Sequence, residues 1–228
     1  MKKLIILPVL FIFISTFSQT IIVNNSLNGE NSTGNGGLGR GIWTKNIENN
    51  DIKGTTYLLT NWLNKMIIYT NDKNSYSLNR SNFDLIKSKF VTKFPNDSIF
   101  EFDNNNIKYV ELNNVIYKRY YFHSADHFLA VLFNGNKISF LKKNIIYVKK
   151  GKINPMTHKE MIKDTYAIKN KYFAFINGDL LEIKLNKKDV LSLLKDKRKE
   201  IKSFIKKNKI SYRKEVDITK LFKHYNSL

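Results

Sequence analysis

The chain has 228 residues, 42% of them hydrophobic and 13% aromatic, with a formal charge of +20 and no cysteine. This composition excludes a chain that is disordered throughout, a disulfide framework and a thiolate metal site. It also excludes a lipid anchor attached through a lipobox cysteine.

Residues 1–18 read as a secretory signal. Lys2 and Lys3 are a positive start, Leu4 to Ile14 is an apolar run, and Ser15 to Ser18 is a small, mildly polar exit. Ser18 at −1 and Thr16 at −3 fit a signal-peptidase site and leave Gln19 as the mature N-terminus. The apolar run is too short for a bilayer core, which needs about 20 residues. The chain is therefore expected to be exported: periplasmic, outer-membrane-associated or extracellular. No second long apolar segment follows, so no transmembrane segment is expected in the mature chain.

Residues 19–53 read as an Asn/Gly-rich linker, with eight Asn and six Gly between positions 24 and 50. Gly34-Asn35-Gly36-Gly37-Leu38-Gly39 is a literal G-x-G-x-x-G. It lacks the strand before and the helix after that a dinucleotide site requires, so it reads as chance in a Gly-rich stretch.

Residues 54–186 read as an antiparallel β domain. Lys65–Thr70 and Ser75–Arg80 flank a four-residue loop, Asn71 to Asn74, as a hairpin. Phe83–Phe94 is a strand interrupted near Lys87–Lys89, and Ser98–Phe102, Ile107–Leu112 and Val115–Phe122 follow. Phe128–Phe133 is wholly apolar, as suits a central strand covered on both sides. Asn134-Gly135, between Phe128–Phe133 and Lys137–Leu141, and Asn177-Gly178, between Tyr172–Ile176 and Asp179–Leu185, predict type I′ turns. Asn144–Lys150 is a further strand, and 151–164 reads as a loop with one helical turn around His158–Lys163. About ten strands joined by short turns predict a meander, closed or strongly coiled.

Residues 187–228 read as a basic helical tail. Val190, Leu193, Leu194, Ile201, Phe204 and Ile205 fall on one stripe, with Asp196 as a restarting N-cap. Ile218, Leu221, Phe222 and Tyr225 form a second stripe, with Asp217 as its N-cap. The tail carries fourteen basic and five acidic residues, net +9, about half of the mature charge.

The end of the chain also carries a resemblance. Asp179 to Lys188, Leu191 to Lys209 and Asp217 to Leu228, closing on Tyr225-Asn226-Ser227-Leu228, resemble the tail of an uncharacterised secreted, β-rich family of Bacteroidetes-type bacteria. Phe17-Ser18-Gln19 fits the signal exit of that family, and Gly54 through Leu141 resembles its middle more loosely. Members often have Pro where this chain has Lys195. The resemblance implies export and this layout; no activity and no catalytic residue come with it.

The cationic surface has two readings. One is an anionic partner, with Lys197, Arg198, Lys202, Lys206, Lys207 and Lys209 as its polyanion-binding residues. The other is genomic, because 34 Lys against 5 Arg, with abundant Asn and Ile, is what an AT-rich genome encodes. Specific nucleic acid is disfavoured by export and by the scarcity of Arg, whose planar fork reads bases and phosphates.

His123-Ser124-Ala125-Asp126-His127 is the most site-like cluster. Two His at i and i+4 on a helix could share a metal, with Asp126 beside them. The segment joins two expected strands, however, and lacks the Glu of a zinc-protease motif, so a turn with exposed imidazoles is favoured. Glu101 and Asp103 share a strand face and as a close carboxylate pair could do acid–base work or bind calcium; at the head of an Asn-rich turn, solvated charges are the default reading. Trp43, Trp62, Tyr117, Tyr120 and Tyr121 could form a stacking platform beside Lys118 and Arg119, or fill a core. No Gly-x-Ser-x-Gly elbow and no Walker loop occurs.

The expectation is an α+β protein: an antiparallel β-meander, coiled or barrel-like, followed by a short C-terminal helical subdomain. The expected function is an exported, non-catalytic, envelope-associated binding protein. It takes an anionic envelope component or a partner protein, with no cofactor. The alternative is an envelope hydrolase using His123, Asp126 and His127.

Overall fold

Period-2 alternation becomes strand almost wherever it occurs. A computed structural model describes residues 41–45, 51–158 and 160–228, and the backbone of 20–22. The signal peptide and the Gly34 to Gly39 motif lie outside the described residues. The strands are β1 (Thr20–Ile22), β2 (Gly41–Lys45), β3 (Met66–Thr70), β4 (Ser75–Leu78), β5 (Ser81–Asp84), β6 (Lys89–Lys93), β7 (Ser98–Phe102) and β8 (Ile107–Leu112). They continue as β9 (Val115–Phe122), β10 (Ala125–Phe133), β11 (Ser139–Lys149), β12 (Lys152–Ile153), β13 (Glu160–Ile162), β14 (Thr165–Ile176) and β15 (Asp179–Ile183). Three helices close the chain: α1 (Lys187–Leu193), α2 (Arg198–Asn208) and α3 (Glu215–Ser227).

A nine-stranded sheet runs in the order β1-β4-β3-β8-β9-β10-β11-β14-β15, antiparallel except for the β1–β4 pair. Among the described residues it is open, with β1 and β15 at its edges. A four-stranded sheet, β2-β7-β6-β5, and the small β12–β13 pair complete the strands. The mostly antiparallel sheets followed by C-terminal helices are the α+β architecture the sequence predicts.

Two cores hold these layers. Met66, Ile68 and Val110 of the large sheet meet Phe83, Phe90 and Phe100 of the small sheet, so one half is a sandwich. In the other half Ile138, Phe140, Ala174 and Ile183 meet Val190, Ile201, Ile218, Leu221 and Phe222 of the helices. Leu129, Leu141 and Phe173 cluster separately. Phe128 and Leu129, adjacent on β10, are both buried and belong to different clusters, as expected of a strand covered on both faces.

Turn chemistry explains most of the hairpins. Asn177 (φ 52°) and Gly178 (φ 90°) are both left-handed, as the type I′ expectation requires, and Asn113 (48°) and Asn114 (64°) match them. Asn134-Gly135 departs from the prediction, since neither residue has positive φ. Its loop is held instead by Asn226 of α3. The Asn226 Oδ1 accepts from Lys137 N at 2.8 Å, and its Nδ2 donates to Ile138 O at 3.1 Å. Gly135 is needed for that close approach, because a Cβ there would lie 2.3 Å from Asn226 Oδ1.

Four further expectations are corrected. Gly41–Lys45, inside the expected linker, pairs with β7. β11 is one eleven-residue strand through Lys142-Lys143-Asn144, because β14 pairs with its whole length. Residues 151–164 carry β12 and β13 in place of a helical turn. The tail has three helices, and neither expected Asp cap holds. Asn186 caps α1, its side chain accepting from Asp189 N at 2.8 Å. Asp196 instead accepts from the Tyr225 hydroxyl at 2.9 Å. Asp217 lies within the first turn of α3 and accepts from Ser211 N.

Candidate functional site

α2 is amphipathic by necessity of its sequence. Ile201 is fully buried, and Phe204 and Ile205 are half-buried on the same inner side. Phe204 stacks on the His224 ring of α3 at 4.0 Å. With that face fixed, the cations point away. Arg198, Lys202, Lys206, Lys207 and Lys209 are exposed, and Lys197 is half-buried just before the helix. Arg198, Lys202 and Lys206 recur at i, i+4, i+8 and form one strip. None of the six cations makes an ion pair among the described residues. Like charges at i, i+4 cost a helix about 0.2–0.5 kcal/mol per pair. The strip is thus locally unfavourable and ready to accept external negative charge.

The histidine cluster does not assemble as a metal site. His123 (φ 49°) and Ser124 (φ 60°) are the two left-handed residues of the tight β9–β10 turn. Asp126 and His127 follow on β10, and adjacent strand residues face opposite sides of a sheet. Asp126 lies 3.6 Å from Arg119, and His127 Nδ1 lies 3.0 Å from Lys143 Nζ. Among the described residues no three His, Asp or Glu side chains are grouped to hold a metal ion.

Burial, the Lys143 ammonium and then His123 hold the His127 pKa below the ordinary imidazole value. The folded protein therefore favours neutral His127. The stability linked to it is present above the unfolded value of about 6.5 and is lost as pH falls through the depressed folded value. Urea midpoints should drop from pH 7.5 to 5.5, and His127→Gln should reduce that drop. A His127→Gln profile that follows the parent's would remove this coupling.

The other two sequence candidates also come apart. Glu101 is buried on β7, ion-paired with Lys87, and accepts from the Thr44 hydroxyl at 3.2 Å. Asp103 instead caps the 3-10 turn Asn104–Asn106. Glu101 is therefore a paired core carboxylate, where a solvated charge was expected. The aromatics form no shared platform. Trp43 packs on Phe94 and Phe100, Tyr117 on Phe83 and Phe90, and Tyr120 on Phe175. Tyr121 is 73% exposed.

Sequence reasoning missed a cleft of about 1230 Å³. It opens between the end of β2, the β5–β6 turn, a strap over residues 52–62, and the β13–β14 segment. The strap is tied across it, with Lys53 N donating to Asp164 O at 2.8 Å and Tyr166 N to Lys53 O at 2.9 Å. Lys45, Lys53 and Lys87, the hydroxyls of Thr55, Thr56 and Thr60, and the rings of Tyr57, Trp62 and Tyr166 line it. Burial first, then Asp84 and Glu101, push the Tyr57 phenol up to about 12, so it remains a hydrogen-bond donor at neutral pH. Asp84 is already engaged, accepting from Ile86 N and Lys87 N at 2.9 and 3.0 Å. The lining suits recognition of a polar or anionic group. No local pattern marks this cleft, because its walls are far apart in sequence.

Compared with protein-family models, with curated proteins and with solved structures, the chain has no match.

Proposed function

We propose that this is an exported, non-catalytic binding protein of the cell envelope, which docks on an anionic envelope component through the cationic strip of α2. The observation that carries the reading is the set of exposed, unpaired cations on a helix whose other face is fixed in the core. The signal-like N-terminus and the resemblance of the tail to a secreted family support export, and export points the strip toward envelope polyanions. The cleft adds a second polar surface at which a partner group can be held.

The test is sedimentation with vesicles of anionic phosphatidylglycerol and of neutral phosphatidylcholine. Binding to the anionic vesicles should fall steeply between low and physiological salt, where the screening length shrinks to about 8 Å. Neutral vesicles should bind little. Salt-independent binding would sink the reading.

A further inference from the structure

The hairpin of β11 and β14 outruns the sheet that holds it. β10 last pairs with β11 at Lys142, and β15 last pairs with β14 at Tyr172. Beyond these positions seven residue pairs, Lys143↔Lys171 to Lys149↔Thr165, form a two-stranded ribbon whose far end is bridged to Lys53 of the strap. At ~3.3 Å per residue it extends about 23 Å. The β12–β13 pair sits at its end.

This tip is shaped by polar and backbone contacts. Asp164 accepts from Lys150 Nζ and from Gly151 N, both at 2.8 Å. Asn154 closes the turn, its side chain accepting from Met156 N and Thr157 N and its carbonyl from His158 N. Gly151 is obligatory, since a Cβ there would fall 1.8 Å from Ile162 O. Of its apolar side chains, Ile153 and Met156 do not line the cleft, whereas Met161 and Ile162 also border its mouth. Ile153 is 68% exposed, Met156 91%, Met161 65% and Ile162 53%. Exposed apolar side chains grouped at the end of the ribbon mark an interaction surface.

We infer that this tip is a membrane-surface wedge: Ile153 and Met156 enter the headgroup–acyl boundary of an anionic bilayer while the exposed Lys149 and Lys152 meet phosphates. Charge complementarity selects the occupant, because residues 149–164 contain five Lys against Glu160 and Asp164, net +3. Exposed apolar side chains beside exposed cations are the chemistry of interfacial anchoring. A protein partner fits less well. Contact hot spots favour Trp, Tyr and Arg, and residues 149–164 contain none of them. The inference shares the envelope setting of the proposed function but does not depend on α2.

The chain has no cysteine, so Met156→Cys gives a unique thiol for an environment-sensitive fluorophore, with Tyr121→Cys as the exposed control. On phosphatidylglycerol vesicles the label at 156 should shift to the blue and be quenched by brominated acyl chains, and the label at 121 should not. The label at 156 should also respond when Arg198, Lys202 and Lys206 are replaced by Gln, which separates the wedge from the α2 reading. At high salt, a Ser replacement at Ile153 or at Met156 should weaken binding about tenfold, the equivalent of a partly buried side chain. A label at 156 that stays in water while the protein sediments with vesicles overturns the wedge and leaves α2 docking intact. No shift at any vesicle concentration overturns it as well. A blue shift that needs only higher protein concentration, without lipid, reassigns the tip to a second copy of the chain and also overturns the lipid assignment.

Discussion

Phe222→Ala should lower the unfolding free energy by about 3–5 kcal/mol, the usual cost of emptying a fully buried phenylalanine site. Phe222 is fully buried on α3 and meets Phe140 of β11 edge-to-face at 5.4 Å. Around it Ile138 and Ala174 from the sheet, and Val190, Ile201, Ile218 and Leu221 from the helices, share one cluster. The Lys142–Glu215 ion pair at 3.1 Å and the Asn226 contacts tie α3 to the same strands. Little of the lost packing can be recovered by collapse, because the cluster is contributed from both sides of the interface. The check is the urea midpoint with an unchanged slope. A loss within the ~0.5 kcal/mol typical of a surface substitution would show that the helices do not share the sheet's core. The same packing means that deleting residues 187–228 would uncover apolar sheet surface. Point substitutions on the outer face of α2 are therefore the cleaner way to ask what the tail binds.

Replacing Arg198, Lys202 and Lys206 together by Gln should weaken binding to anionic vesicles about 100-fold while leaving the thermal midpoint unchanged or slightly raised. Each Lys or Arg near an anionic surface contributes about 1 kcal/mol at physiological salt, and about 3 kcal/mol is roughly a hundredfold in affinity. Stability should not follow, because the three side chains are exposed and unpaired. Gln keeps a helix propensity close to theirs. It also removes the Arg198–Lys202 and Lys202–Lys206 repulsions at i, i+4. The opposite signs of the two effects distinguish a docking surface from a structural one. Vesicle sedimentation and a thermal melt on the same sample read both, and unchanged binding would remove α2 as the docking surface.

Legibility followed range. Ser75–Leu78, Ser98–Phe102 and Ile107–Leu112 were readable because alternation is a local property of a strand with two unlike faces. Asn177-Gly178 was readable because a type I′ turn requires φ > 0 at both positions and Asn and Gly supply it. Asn134-Gly135 carries the same dipeptide and misled, because its conformation is set by Asn226, a partner 89 residues from Lys137. Lys142-Lys143 looked like a break before Asn144–Lys150, yet β14 pairs through it. Asp196 looked like a cap and instead accepts from Tyr225, 29 residues away. Gly41–Lys45 offered only Ile42 and Trp43 as a cue. Its edge position is made by Trp43 packing on Phe94 and Phe100.

By itself the sequence determined the periods of the strands and helices, the amphipathic division of α2 and the concentration of charge in the tail. Each of these depends on residues within a few positions of one another. Only the tertiary structure decided which groups meet. It separated Asp126 from His127 across the sheet, buried Glu101 against Lys87, and closed a cleft between strap and hairpin. It also left Ile153 and Met156 of the β12–β13 tip exposed to water. Those outcomes rest on pairings between distant strands, whose register is chosen by the summed packing of both cores and is not written in any one segment.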